Sequence, residues 1–84
     1  MIAIQRYSRK RWTAHLRHYG CAPAEGIPKR EDGEFWRWPW PKAYPFFVPL
    51  DEEGYLDTWA LIRLKQDMRA LAPDGWEFPD NPPP

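Results

Sequence analysis

The sequence predicts a small α+β domain, in which two amphipathic helices pack on a short antiparallel sheet or on extended aromatic and proline-rich segments. Two segments without Pro or Gly carry apolar residues at helical spacing, and aromatic residues alternate through proline-broken segments between them. A chain of 84 residues has room for one domain. We assign the domain to residues 1–80 and a flexible proline-rich tail to residues 81–84.

The first helix is predicted over residues 9–19. Ser8 fits the N-cap, and Gly20 fits the position after the last turn, where a positive φ is common. An apolar stripe is formed by Trp12, Leu16 and Tyr19, at spacings of i, i+4 and i+7. The apolar start of the chain, residues 1–7, fits a strand or the approach to this helix.

The middle of the chain predicts extended structure. After a loop over residues 21–33, alternation through residues 34–40 places three tryptophans on one face and Phe35 and Arg37 on the other. Prolines at 39 and 41 cannot donate to a ladder, which favours an edge strand or a polyproline-like ribbon over a central strand. Residues 43–50 form a second extended candidate, and residues 51–54 form a turn.

The second helix is predicted over residues 58–72. Asp57 fits its N-cap, and Leu56 and Leu61 have the spacing of a hydrophobic staple. Residues 73–75 end the helix, and residues 76–78 are a short strand candidate. Its apolar stripe comprises Leu61, Leu64, Met68 and Leu71.

Composition excludes several classes of protein. Zero net charge with 17% aromatic residues argues against disorder, and one cysteine excludes an internal disulfide framework. Residues 1–11 contain no apolar region of the kind expected in a secretion signal, and no apolar run reaches membrane-spanning length. We therefore expect a cytoplasmic protein with no membrane partner. Without a recognisable catalytic or phosphate-loop motif, we predict no enzymatic activity and no cofactor.

The neutral total conceals an asymmetry of charge. Residues 1–30 carry seven Lys or Arg against one Glu, whereas residues 31–84 carry five against eleven Asp or Glu. The two parts therefore have charges of +6 and −6. Such a division can steer a partner toward the protein, or the two parts can pair with each other.

Two features indicate a surface that binds another protein. One is the tryptophan segment with its arginine, because Trp, Tyr and Arg dominate protein-binding hot spots. The other is a cluster of carboxylates that precedes the second helix. The alternatives are that the tryptophans form the core and that the carboxylates are a solvated turn. The candidate partner-binding residues are Trp36, Arg37, Trp38, Trp40, Asp51, Glu52, Glu53 and Asp57.

Two further kinds of site remain open. A basic face of the first helix, with an exposed Trp or two, would bind nucleic acid through Arg6, Arg9, Lys10, Arg11 and Arg17. The spacing of His15, His18 and Cys21 gives a candidate metal site. The candidate is weak, because structural zinc sites usually have four protein ligands. With no other Cys or His in the chain, we predict no metal.

These observations favour a small non-enzymatic protein-binding module over a nucleic-acid-binding protein. Size, aromatic and proline content and the lack of catalytic motifs are typical of accessory proteins that phages or mobile elements encode. Such a protein would inhibit or modulate a host enzyme or defence complex in the host cytoplasm by steric and electrostatic blockade. The partner and the oligomeric state are not specified by the sequence.

Overall fold

Helix α1 (Arg9–His18) begins after its N-cap, Ser8, and ends before its C-cap, Tyr19. In the computed structural model, which describes residues 5–82, the Ser8 hydroxyl accepts a hydrogen bond from the Arg11 amide at 3.4 Å. Gly20 follows the helix with φ +89°, and the Cys21 amide donates to the Leu16 carbonyl. The predicted helix is confirmed. Of the predicted apolar start, residues 1–4 lie outside the described residues.

Helix α2 (Thr58–Leu71) is also confirmed. The Asp57 carboxylate accepts a hydrogen bond from the Ala60 amide at 2.8 Å, as an N-cap does. Leu56 and Leu61, the two residues of the predicted staple, are both buried. Within residues 5–82, neither helix is long and apolar enough to cross a membrane.

A two-stranded antiparallel sheet joins the beginning of the chain to the beginning of α2. Strand β1 (Arg6–Tyr7) pairs with β5 (Leu56–Asp57), with Tyr7 opposite Leu56. The Thr58 amide extends this pairing by donating to the Gln5 carbonyl. The pairing places Arg6 beside residues 51–54, which precede β5 and which we call the acidic turn.

The second sheet has three antiparallel strands in the order β2 (Ala22–Pro23), β3 (Gly33–Arg37) and β4 (Pro45–Pro49). The prediction that the tryptophan segment could not be a central strand is wrong. Strand β3 ends at Arg37, before the two prolines that lack an amide hydrogen, and the prolines within the sheet lie on its outer strands.

Glycine is required at position 33, where β3 and β4 approach closely. A Cβ atom there would lie 2.1 Å from the Val48 carbonyl oxygen and 2.6 Å from the Phe47 ring. Gly33 therefore allows the two strands to pair without displacing either.

Two other expectations differ from the structure. Strand β2 lies in the segment that the sequence predicts as a loop, and residues 76–78 form no strand. Instead, the Trp76 ring packs edge-on against Trp40, and Phe78 packs on the core. In the predicted tail, Asn81 accepts a hydrogen bond from the Tyr19 hydroxyl at 3.3 Å. Residues 83–84 of that tail lie outside the described residues.

Both helices and the strands β3, β4 and β5 contribute to one core. Trp12 of α1 and Trp36 of β3 are fully buried at its centre, with ring centroids 5.5 Å apart and an edge-on arrangement. Such a pair buries large apolar areas and adds a favourable ring interaction. The aromatic residues thus replace the aliphatic side chains in which the sequence is poor.

Candidate functional site

The three tryptophans of the middle segment differ in exposure. Trp36 is fully buried and Trp38 is 7% exposed, whereas Trp40 is half-buried. The prediction that Trp36 and Trp38 project to a partner is therefore corrected, because Trp12 of α1 packs on Trp36 and other aromatic rings pack on Trp38. Trp38 stacks on Phe46, with ring centroids 3.7 Å apart, and on Trp40, at 5.7 Å.

A cleft opens where this aromatic stack reaches the surface. It has a volume of about 320 Å³. Tyr44 is 85% exposed and Leu71, at the end of α2, is 61% exposed. We call it the aromatic cleft, and its lining consists of Trp38, Trp40, Lys42, Ala43, Tyr44 and Leu71.

The loop at the edge of the aromatic cleft has an unusual backbone. Lys42 has φ +59°, the left-handed conformation that residues other than glycine rarely adopt. On the other side of the loop, the Arg37 guanidinium donates a hydrogen bond to the Ala43 carbonyl at 3.2 Å. Lys42 takes part in no ion pair among residues 5–82. The lining of the aromatic cleft thus carries one charged side chain among mainly aromatic and aliphatic ones.

A second cleft lies along the outer face of α2 and is broader, with a volume of about 550 Å³. Trp59 is 63% exposed there, and Ile62 is 40% exposed. Its lining also contains charges of both signs, from Asp57 and Arg63. Asp57 is among the predicted partner-binding residues. Trp59 is not, since a lone apolar residue beside an apolar stripe gives little indication of its exposure.

The acidic turn satisfies its charges mainly within the protein. Asp51 accepts hydrogen bonds from the amides of Glu53 and Tyr55, at 2.9 and 3.0 Å, and from Arg6 Nε at 2.9 Å. The Tyr55 amide and the Arg6 guanidinium hold the pKa of Asp51 below its usual value. Glu53 lies 3.4 Å from Arg6, and Glu52 is exposed. This turn therefore joins the two halves of the chain.

The predicted nucleic-acid residues divide into two groups. Arg6 pairs with Asp51, and Arg9 makes two hydrogen bonds to Glu34, at 2.8 and 2.9 Å. These two arginines already have anionic partners, so their inclusion in a phosphate-binding face is corrected. The remaining three, Lys10, Arg11 and Arg17, are exposed and take part in no ion pair among residues 5–82.

Glu34, a buried carboxylate in β3, is not among the residues predicted from sequence. Its exposed fraction is 5%, and it accepts a hydrogen bond from Trp36 Nε1 at 2.9 Å besides those from Arg9. Lys29 Nζ lies 3.7 Å away. Burial alone would raise the pKa of Glu34, but the hydrogen bonds from Arg9 and Trp36 outweigh it and the pKa is lowered. Glu34 is thus an ionised anchor between α1 and β3.

The metal candidate does not assemble. Within residues 5–82, no group of three or more His, Cys, Asp or Glu side chains is placed to hold a metal ion. Cys21 is buried, and its burial raises the pKa of the thiol to about 12. The thiol therefore stays protonated and is a poor metal ligand or nucleophile. His18 instead makes a hydrogen bond with the Asp80 carbonyl.

No protein-family model matches the chain, and no curated protein or solved structure is significantly similar to it.

Proposed function

We propose that the protein is a protein-binding module and that the aromatic cleft is its contact surface. The observation that carries the proposal is the exposure of Tyr44 and Leu71 around a floor of stacked tryptophan rings. Folding leaves these two side chains in water, whereas Trp12 and Trp36 are fully buried. An apolar patch with a polar edge is typical of an interaction site.

The lining indicates the chemistry of the partner. The half-buried Trp40, which stacks on Trp38, and the exposed Tyr44 present apolar ring surfaces that can pack against an apolar or aromatic side chain. Lys42 is the one charged residue in the lining, so a carboxylate next to the inserted side chain would complete the contact. We therefore propose a partner segment in which an apolar residue stands beside Asp or Glu.

Binding of this kind requires no catalysis. An occupied cleft would block whatever surface of the partner contributes the segment, which is the steric blockade expected of an accessory protein. The exposed Glu52 lies on the acidic turn and adds negative charge outside the cleft. Inhibition of a host enzyme through such contacts remains our prediction for the class of function.

Peptide selection tests the aromatic cleft directly. A random dodecapeptide library is panned on the immobilised full chain, and enriched peptides are measured by fluorescence polarisation. We expect an apolar residue beside Asp or Glu, and a loss of at least about 10-fold in affinity for Tyr44→Ala, which corresponds to about 1.4 kcal/mol. Lys42→Glu is expected to abolish the preference for acidic peptides.

Trp59→Ala is the matched control, because it removes a similarly exposed aromatic ring from the broader cleft. Its affinity is expected to stay within about 2-fold of wild type, and both variants should keep the unfolding temperature. If the enriched peptides lost affinity for Trp59→Ala and not for Tyr44→Ala, the contact surface would be the broader cleft along α2 and not the aromatic cleft. Failure to enrich any peptide would contradict the proposal.

A further inference from the structure

A set of basic side chains from both helices lies together on one face of the molecule. On α1, Arg11, His15 and His18 are spaced i, i+4 and i+7, so they follow one side of the helix. On α2, Lys65 and Arg69 are spaced i and i+4. We call these five residues the cationic face. Its α2 members are not apparent from the sequence, because only the fold brings the helices together.

Two tyrosines organise the cationic face. The Arg11 guanidinium lies 4.9 Å from the centroid of the Tyr7 ring, and the His15 ring lies 5.5 Å from it. Lys65 Nζ lies 5.7 Å from the centroid of the Tyr19 ring. Cations held over aromatic rings lose rotational freedom before any ligand arrives. The cationic face is therefore preorganised.

None of the five residues of the cationic face takes part in an ion pair among residues 5–82. The ion pairs among residues 5–82 use other cations, namely Arg6, Arg9, Lys29, Arg30 and Arg63.

The groups around His15 show the effect of the charges on this face. The His15 ring is faced by Arg11 and His18 from α1, by Lys65 from α2 and by the Tyr7 ring from β1. Burial, and then the charges of Lys65, Arg11 and His18, lower the pKa of His15. Its Nδ1 atom is buried and has no hydrogen-bond partner among residues 5–82. An anion at this face would offset the positive charges of Lys65 and Arg11, which lie around His15.

We propose that the cationic face binds the phosphate groups of a nucleic-acid strand. Several like charges from two helices require a ligand with a row of negative charges, which the phosphate backbone supplies. Arginine and lysine are the side chains that bind phosphate oxygens. The proposal does not rest on the aromatic cleft, because the two sites share no residue. Of the five residues in the sequence prediction it keeps Arg11 alone. It leaves out Arg6, Arg9, Lys10 and Arg17, and it adds His15, His18, Lys65 and Arg69.

Fluorescence anisotropy with a labelled 20-nucleotide single strand tests this proposal at 50 mM salt and pH 6.5. We expect binding by the full chain and a loss of at least about 10-fold in the double variant Arg11→Ala/Lys65→Ala. The slope of log K against log salt should fall in magnitude by about 1.4, which corresponds to two lost phosphate contacts on a single strand. Arg30→Ala/Arg63→Ala is the matched control, since it removes two exposed arginines that pair with Asp32 and Asp67.

Equal losses in the two double variants, or no binding at 50 mM salt, would overturn the proposal. Competition separates phosphate from other anions: inorganic polyphosphate should displace the strand, whereas displacement by polyglutamate at equal charge would contradict phosphate recognition. NMR titration gives a second readout, because a bound polyanion stabilises the imidazolium and should raise the pKa of His15. An unchanged pKa of His15 in the presence of saturating oligonucleotide would place the bound strand elsewhere and overturn the site.

Discussion

Replacing Trp12 with alanine is expected to destabilise the protein by about 3–5 kcal/mol. Trp12 is fully buried, its ring meets Trp36 edge-on, and its Nε1 donates a hydrogen bond to the Gly54 carbonyl at 3.0 Å. The substitution would leave a large cavity and an unsatisfied carbonyl. Since native stability is about 0.05–0.15 kcal/mol per residue, or roughly 4–13 kcal/mol for a chain of this size, the loss is a large fraction of the total.

Urea unfolding followed by far-UV circular dichroism measures this effect as a decrease in the midpoint. Trp59→Ala supplies the matched control, because the same atoms are removed from a side chain that is 63% exposed. Its free energy of unfolding should change by less than about 0.5 kcal/mol. Similar decreases in the free energy of unfolding for the two variants would contradict the prediction, because the buried Trp12 would then contribute no more to stability than the exposed Trp59.

The helices could be predicted from sequence because their signals are local. Ser8, Gly20 and Asp57 each act within a few residues of their own position, through a side-chain hydrogen bond or a positive φ. The sheets could be predicted less well. The paired strands β1 and β5 are two residues long, and a pairing between such distant segments leaves no periodicity in either.

Exposure is where sequence reasoning failed most. Leu71 continues the apolar stripe of α2 by spacing, yet it lies in the last turn, past the part of the helix that the core covers. Trp36 and Trp38 have the composition of a binding hot spot, yet they are buried. In both cases the spacing identifies a face of the element, but only the tertiary arrangement decides what covers that face.

The opposite charges of the two chain parts are now partly explained. Arg6 meets Asp51, and Arg9 meets Glu34, so cations from the first part neutralise carboxylates of the second. The pairing that the sequence left as an alternative therefore accounts for these residues. It does not use Arg11, which supports the separate role proposed for the cationic face.

Replacing Glu34 with leucine is expected to cost about 1.5–3 kcal/mol of stability, the usual range for loss of hydrogen bonds to a charged group. The buried Trp36 Nε1 would lose its acceptor, since leucine cannot provide one. Arg9 is half exposed, so water can replace its hydrogen bonds to Glu34. Losing those bonds should therefore cost less than leaving the buried Trp36 Nε1 without an acceptor. Glu52→Leu is the control at an exposed carboxylate and should change stability by less than about 0.5 kcal/mol.

The contribution of Glu34 should also depend on pH in a defined direction. The pKa of Glu34 is lowered from its ordinary value of 4.5, so the folded state binds its proton less readily than the unfolded state does. The stabilisation is therefore complete above about pH 5.5 and is lost as the pH falls through the lowered pKa. The difference in unfolding free energy between wild type and Glu34→Gln isolates this effect from Asp51, whose pKa is lowered as well. A difference that stays constant between pH 7 and pH 2 would show that the charge of Glu34 does not stabilise the fold, and only its hydrogen bonds would then hold β3 to α1.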